Sequence, residues 1–139
     1  MIGGVNIEFG MGLDGHSDAD VLVHAVCDAV LGALGLGDLG EHFPETAEFE
    51  GISSLELLAA VAGMMSERGY RLVNADCTIN AERPKLSVYR QMMKGNVAGP
   101  LGVPPERISI KATRGEGLGP VGEGLAIAAR AVVLLVKED

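Results

Sequence analysis

The amino-acid sequence predicts one domain over residues 1–139, of the α/β (α+β) class, with a mixed β-sheet covered on one face by helices. Three observations carry that expectation. A chain of 139 residues can bury one core but not two. Apolar residues make up 47% and charged residues 22%, which is the balance of a folded chain rather than a disordered one. Stretches of strand-like alternation interleave with stretches of helical period in the order β-α-α-β-α-β-β, without internal repeat or linker.

Residues 2–9, IGGVNIEF, read as a short strand with Val5, Ile7 and Phe9 on one face. A helix is expected from Asp18 to Leu34, closed by the glycines of GLGDLG at 35–40, because glycine takes the C-cap conformation without penalty. Residues 41–51 are polar and broken by proline, hence a loop. Ser53 or Ser54 caps a second helix that runs to Gly69, with Glu56 well placed in its first turn. Tyr70–Asn80 alternates as a strand, with Leu72, Asn74, Asp76 and Thr78 on one side and Val73, Ala75, Cys77 and Ile79 on the other. Residues 83–102 form a loop leading into a third helix, and 107–113 form a strand. The final apolar run, 124–138, reads as a strand from its Gly-rich entry and β-branched close.

Composition narrows the function. The formal charge is −8 and the isoelectric point about 4.8, which argues against nucleic-acid or anionic-membrane binding driven by bulk charge. An anionic substrate must then be held locally, by backbone N–H groups, a few cations or a metal ion. Cys27 and Cys77 are far apart in the chain, as expected of buried thiols in a reducing compartment. No charged leader and no apolar run of spanning length is present, so a soluble cytoplasmic protein is expected. GLGDLG at 35–40 and GLGPVG at 117–122 match the dinucleotide fingerprint G-x-G-x-x-G, but neither joins a strand to a helix. Residues 113–119 remain a candidate anion-binding turn.

The densest chemistry lies in GLDGHSDADVLVHAVCDAV, residues 12–30. Asp20, His24 and Asp28 recur at i, i+4 and i+8 and share one helix face. Amid so much valine, His24 is either a satisfied core histidine or a ligand oriented by a carboxylate. Asp18 and Asp20 suit the helix start as caps. His16 and Ser17 lie just before it, where capping and anion contact fit equally well.

The longer run GLDGHSDADVLVHAVCDAVLGALGLGDLGEHFPET, residues 12–46, closely resembles the 2-C-methyl-D-erythritol 2,4-cyclodiphosphate synthase family. It follows that family's pattern G-H-S-D-[GA]-D-x-x-x-H-A-x-x-D-A-x-L-G-A-x-x-x-G-D-[IL]-G-x-x-F-P without a gap. RPKL at 83–86 and ISIKAT at 108–113 fall at the expected separations, so the resemblance covers nearly the whole chain. It implies a homotrimer with an active site at each subunit interface. It also implies cyclisation of 4-diphosphocytidyl-2-C-methyl-D-erythritol 2-phosphate with release of CMP, assisted by Zn2+ and by Mg2+ or Mn2+.

Carried over by position, the resemblance makes His24 a zinc ligand. It sets His16 and Ser17 at the methylerythritol and phosphate end, with His16 and Thr113 as catalytic groups. Asp38 and Gly40 would hold the ribose, and residues from Phe43 through Glu45 to Ala47 would form a flap. Ala81, Lys85 and Leu86 would bind the cytosine and its phosphate, and Thr113 and Glu116 would lie around the diphosphate and second metal.

Some positions depart from the pattern. The family's other two zinc ligands form an Asp-x-His pair on an N-terminal strand ahead of the matched region, so that strand is expected to be absent here. Arg114 stands where the family has a second, transition-state-stabilising threonine. Pro120, Glu123 and Leu125 replace a phenylalanine, an arginine and a glutamate, and Ala47 replaces an acidic flap residue. A second reading follows from these departures: a non-catalytic trimeric relative that keeps a nucleotide or phosphate pocket.

Overall fold

The computed structural model describes residues 1–7, 20–124 and 126–138. Its elements are α1 (Val21–Ala33), α2 (Leu39–His42), α3 (Ser54–Glu67), β1 (Tyr70–Asn80), α4 (Arg90–Leu101), β2 (Ile108–Thr113), α5 (Gly119–Gly122) and β3 (Ala128–Lys137). The sheet order is β2-β1-β3. β1 and β2 run parallel, joined across α4, whereas β1 and β3 run antiparallel. The predicted mixed sheet with helices on one face is therefore the observed architecture.

The inner face of the sheet carries Ala75, Cys77, Ile79, Ile108 and Ile110, all buried against Leu22, Val23, Val26 and Val30 of α1 and Leu58 and Val61 of α3. The outer face carries Asn74, Asp76, Ser109, Lys111, Arg130, Val132 and Leu134. Leu72 corrects the expected alternation. It is 1% exposed and belongs to the core, because the ladder with β3 shifts register between Leu72 and Asn74. A bulge adds one residue to β1 and so flips every side chain before it to the opposite face. The Val73 carbonyl accepts a hydrogen bond from Arg107 Nη1 at 3.2 Å.

The N-terminal segment is a second correction. Residues 2–5 form a tight turn and not a strand: Ile2 and Val5 exchange backbone hydrogen bonds of 2.9 and 3.0 Å. Gly3 and Gly4 sit at φ of 58° and 72°, a conformation that adjacent glycines reach without strain. Their amides donate to the Asp20 carboxylate at 2.9 and 2.7 Å. Val5 and Ile7 are both buried, while Phe9 lies outside the described residues.

Asp20 is the N-cap of α1, accepting from Val23 N at 3.0 Å. The helix thus begins at Val21, later than the expected Asp18. At its other end Gly35 takes φ of 72°, and Leu36 N reaches back to Leu31 O at 2.9 Å, the glycine-terminated ending the sequence called for. α3 opens with a full capping box: Ser53 Oγ accepts from Glu56 N and Glu56 Oε2 accepts from Ser53 N, both at 3.1 Å. The predicted loop at 41–51 holds the end of α2 and a 3-10 turn at Ala47–Phe49.

Candidate active site

Because β1 and β2 are parallel neighbours, the segments after both leave the sheet at one edge, the usual place for ligand-binding loops. Ala81 N donates to Thr113 O at 2.9 Å, one step beyond the strand ladder. That bond brings 81–86 beside 113–117, two segments that the resemblance assigned to the cytosine with its phosphate and to the diphosphate. Ala81 and Leu86 are buried in the core, whereas Lys85 is exposed. Thr113 is exposed and its hydroxyl donates to Asn80 Oδ1. Glu116 holds φ of 54°, a left-handed conformation taken by no other non-glycine among the described residues. Such a conformation costs about 1 kcal/mol or more and persists where the surroundings enforce it.

The candidate anion-binding turn is enforced by an acid of the chain itself. Glu82 Oε2 accepts from Gly115 N at 2.9 Å. Glu82 Oε1 meets Arg114 Nη2 at 2.8 Å. Desolvation raises the Glu82 carboxyl, but the Arg114 hydrogen bond and charge, with nearby backbone N–H groups, bring it below its ordinary value. The opposite side of the turn is packed against backbone: a Cβ on Gly115 would lie 2.4 Å from Gly122 N. Sequence reasoning passed over Glu82. The available signal was its position, directly after a strand and directly before Arg-Pro-Lys.

A second group gathers on α1 and the segment after it. His24 is exposed, which removes the core-histidine reading. Its neighbours Leu22, Val23, Val26 and Cys27 fill the core from the other side of the helix. Asp28, one turn further, accepts from Leu39 N at 2.8 Å and so moors α2 to α1. Asp38 caps α2 through Glu41 N at 3.0 Å. Asp38 and Gly40 are exposed. Phe43 packs edge-on against Phe49, with ring centroids 5.4 Å apart. Glu45 lies exposed beyond it, and His42 Nε2 donates to Leu36 O at 2.7 Å. His16, Ser17 and Leu125 lie outside the described residues.

Among the described residues, no group of three or more His, Cys, Asp or Glu is arranged to hold a metal ion. Asp20, a turn before His24, has both oxygens committed to the amides of Gly3, Gly4 and Val23. Those residues therefore supply one exposed imidazole toward zinc and do not complete a site. Both cysteines are buried and free. Burial, followed by nearby carboxylates, pushes the thiols up to about 12 at Cys27 and about 11 at Cys77. No helix among the described residues is long and apolar enough to cross a membrane.

The YgbB family profile matches residues 1–136. The chain is 52% identical to the 2-C-methyl-D-erythritol 2,4-cyclodiphosphate synthase of Desulfosudis oleivorans, an alignment covering 100% of this chain and 83% of the relative. It is 54% identical to the enzyme of the same name from Geobacillus kaustophilus, covering 99% and 87%. Among solved structures, the bifunctional IspDF of Campylobacter jejuni superposes with a TM-score of 0.94 at 41% identity, over all of this chain and 38% of its own length. The IspF of Plasmodium falciparum, in complex with CDP, gives 0.87 at 32% identity, over 99% and 83%.

Proposed function

The chain belongs to the YgbB family, and from that membership we propose that it cyclises 4-diphosphocytidyl-2-C-methyl-D-erythritol 2-phosphate to 2-C-methyl-D-erythritol 2,4-cyclodiphosphate. An oxygen of the 2-phosphate attacks the β-phosphorus. The bond from that phosphorus to the bridging oxygen breaks, and CMP leaves with the electron pair. No water is consumed. The observation that carries the reading is the end-to-end similarity to synthases of that name. The Ala81–Thr113 bond supports it by setting the two segments it would require side by side.

In this phosphoryl transfer the protein mainly positions the reacting groups and neutralises charge. Ala81 and Leu86 form the floor under the cytosine, and Lys85 supplies a point charge to the phosphate beside it. Asp38 and Gly40 contact the ribose from the start of α2, held by the Asp28 bond to Leu39. Phe43 and Glu45 belong to the flap. Thr113 and Glu116 face the diphosphate, and His16 and Ser17 the 2-phosphate end. A divalent ion would supply further charge neutralisation. His24 is its one described candidate ligand, and no step is derived through it.

Self-association into a trimer fits the outer sheet face, where Val132 and Leu134 are 72% and 56% exposed side by side with polar neighbours. An apolar strip of that kind on a sheet face is suited to packing against a copy of the chain.

The test is incubation of the purified protein with the linear substrate, magnesium and zinc, followed by 31P NMR and chromatography for CMP. Formation of the cyclic diphosphate with one CMP per product is expected. Binding of CMP without its formation would sink the enzyme reading and leave a nucleotide-binding relative. Zinc content of the His24→Ala protein decides the ligand role: retention at the wild-type level removes His24 from any metal site.

A further inference from the structure

Glu82 occupies the one place in the turn after β2 that would otherwise attract an anion from outside. Its carboxylate accepts from the N–H of Gly115 and from the guanidinium of Arg114. A backbone amide beside a guanidinium makes a nest for an anion. Here the nest is filled from within, by a side chain that is 15% exposed, while its partner Arg114 is 66% exposed. Glu82 itself belongs to the other segment, immediately after Ala81. The carboxylate therefore ties 81–86 to 114–117 at a second point, in addition to the Ala81–Thr113 backbone bond.

The tie has a geometric consequence. On its far side the turn already rests on the backbone of α5, where a Cβ on Gly122 would come within 2.5 Å of the Gly117 carbonyl carbon. That contact blocks movement of the turn toward α5. Glu82 holds the opposite side, through the residue before Glu116, whose conformation is left-handed.

We propose that Glu82 is a positioning residue, a built-in anion that sets the separation between the cytidyl-binding segment and the turn facing the diphosphate. The inference rests on the cyclisation reading for its kinetic consequence but not for the clamp itself. Misplacing a reacting phosphoryl group by about 1 Å costs on the order of a hundredfold in rate. Removing the clamp is therefore expected to lower turnover while leaving recognition of the cytidine end intact.

The experiment compares Glu82→Ala and Glu82→Gln with the wild type. In Glu82→Ala, kcat is expected to fall at least tenfold, with the Kd for CMP changed less than twofold. The amide of Gly115 should lose hydrogen-exchange protection. Glu82→Gln keeps one acceptor oxygen for Gly115 but turns an NH2 group toward Arg114, so its kcat should lie between those of Glu82→Ala and the wild type. Acetate or inorganic phosphate, added to Glu82→Ala, should bind at the vacated nest, shift the Gly115 amide in an NMR titration and restore part of the rate. A structural role alone would lower kcat and CMP affinity together, without rescue by an anion; that result, or a wild-type kcat in Glu82→Ala, overturns the proposal. Should the wild type fail to turn over, the cyclisation reading fails and the kinetic consequence of Glu82 fails with it. The clamp is then judged by exchange at Gly115, and unchanged protection in Glu82→Ala overturns that as well.

Discussion

Replacing Asp20 should weaken the fold more than any other single change to a polar side chain of α1. The residue is fully buried and joins three parts of the chain. Oδ1 accepts from Gly3 N at 2.9 Å and Val23 N at 3.0 Å, and Oδ2 accepts from Gly4 N at 2.7 Å, with Ser54 Oγ at 3.5 Å. In Asp20→Ala the helix loses its cap, worth about 1 kcal/mol. The amides of Gly3 and Gly4 are stranded, at about 1–3 kcal/mol each. Part of this is returned because a buried carboxylate no longer has to be desolvated, a term of several kcal/mol in the opposite sense. The net loss should be roughly 1–4 kcal/mol, a sizeable share of the 5–15 kcal/mol typical of a folded domain. Asp20→Asn keeps one oxygen for Gly3 and Val23 but turns an NH2 group toward Gly4, so roughly half the loss is expected. Urea unfolding followed by circular dichroism measures both, at one protein concentration because self-association would add to apparent stability. A loss under about 1 kcal/mol in Asp20→Ala, or an Asn variant weaker than the Ala variant, would refute the reasoning.

Further outcomes follow from the same structure. Cys27 and Cys77, with thiols pushed up to about 12 and about 11, should not react with a disulfide reagent at pH 8 until the protein is denatured; prompt labelling of the native protein would contradict their burial. Leu134→Glu on the outer sheet face should reduce the mass seen by light scattering to that of a single chain, whereas an unchanged mass would move the interface elsewhere. The Glu82 clamp should also be pH-dependent. The folded carboxyl is held below its ordinary value of 4.5, so its contribution is complete above that pH and is lost as pH falls through the lower folded value. The Gly115 amide resonance should follow this with a midpoint below 4.5, and a midpoint above it would reverse the sign of the effect.

Elements whose cause is local were legible in the chain. The Ser53–Glu56 capping box, the glycine endings at Gly35 and Gly69 and the span of β1 all depend on residues within a few positions of one another. The family pattern was equally legible, since it is itself a string of residues. Other features arise between segments and leave no periodic trace. Leu72 reads as an outward residue until the bulge before Asn74 turns it inward. His24 reads as a possible core residue until the helix is packed and its face proves to be the open one. The Gly3–Gly4 pair reads as part of a strand until Asp20 draws both amides into a turn.

The candidate site divides along the same line. Residue type alone left His16 between capping and anion contact and His24 between core and ligand, and the roles expected of His16, His24 and Asp38 came from the resemblance of residues 12–46 to the family pattern. The seat of the turn at 114–117 could be read from neither. It depends on a carboxylate 33 positions away from Gly115 meeting it across two parallel strands. Local propensities and motif spacing were enough to specify the fold class and family of this chain. The placing of one acid into another segment's backbone was decided only when tertiary packing brought them together, since a hydrogen bond acts over about 3 Å regardless of separation in sequence.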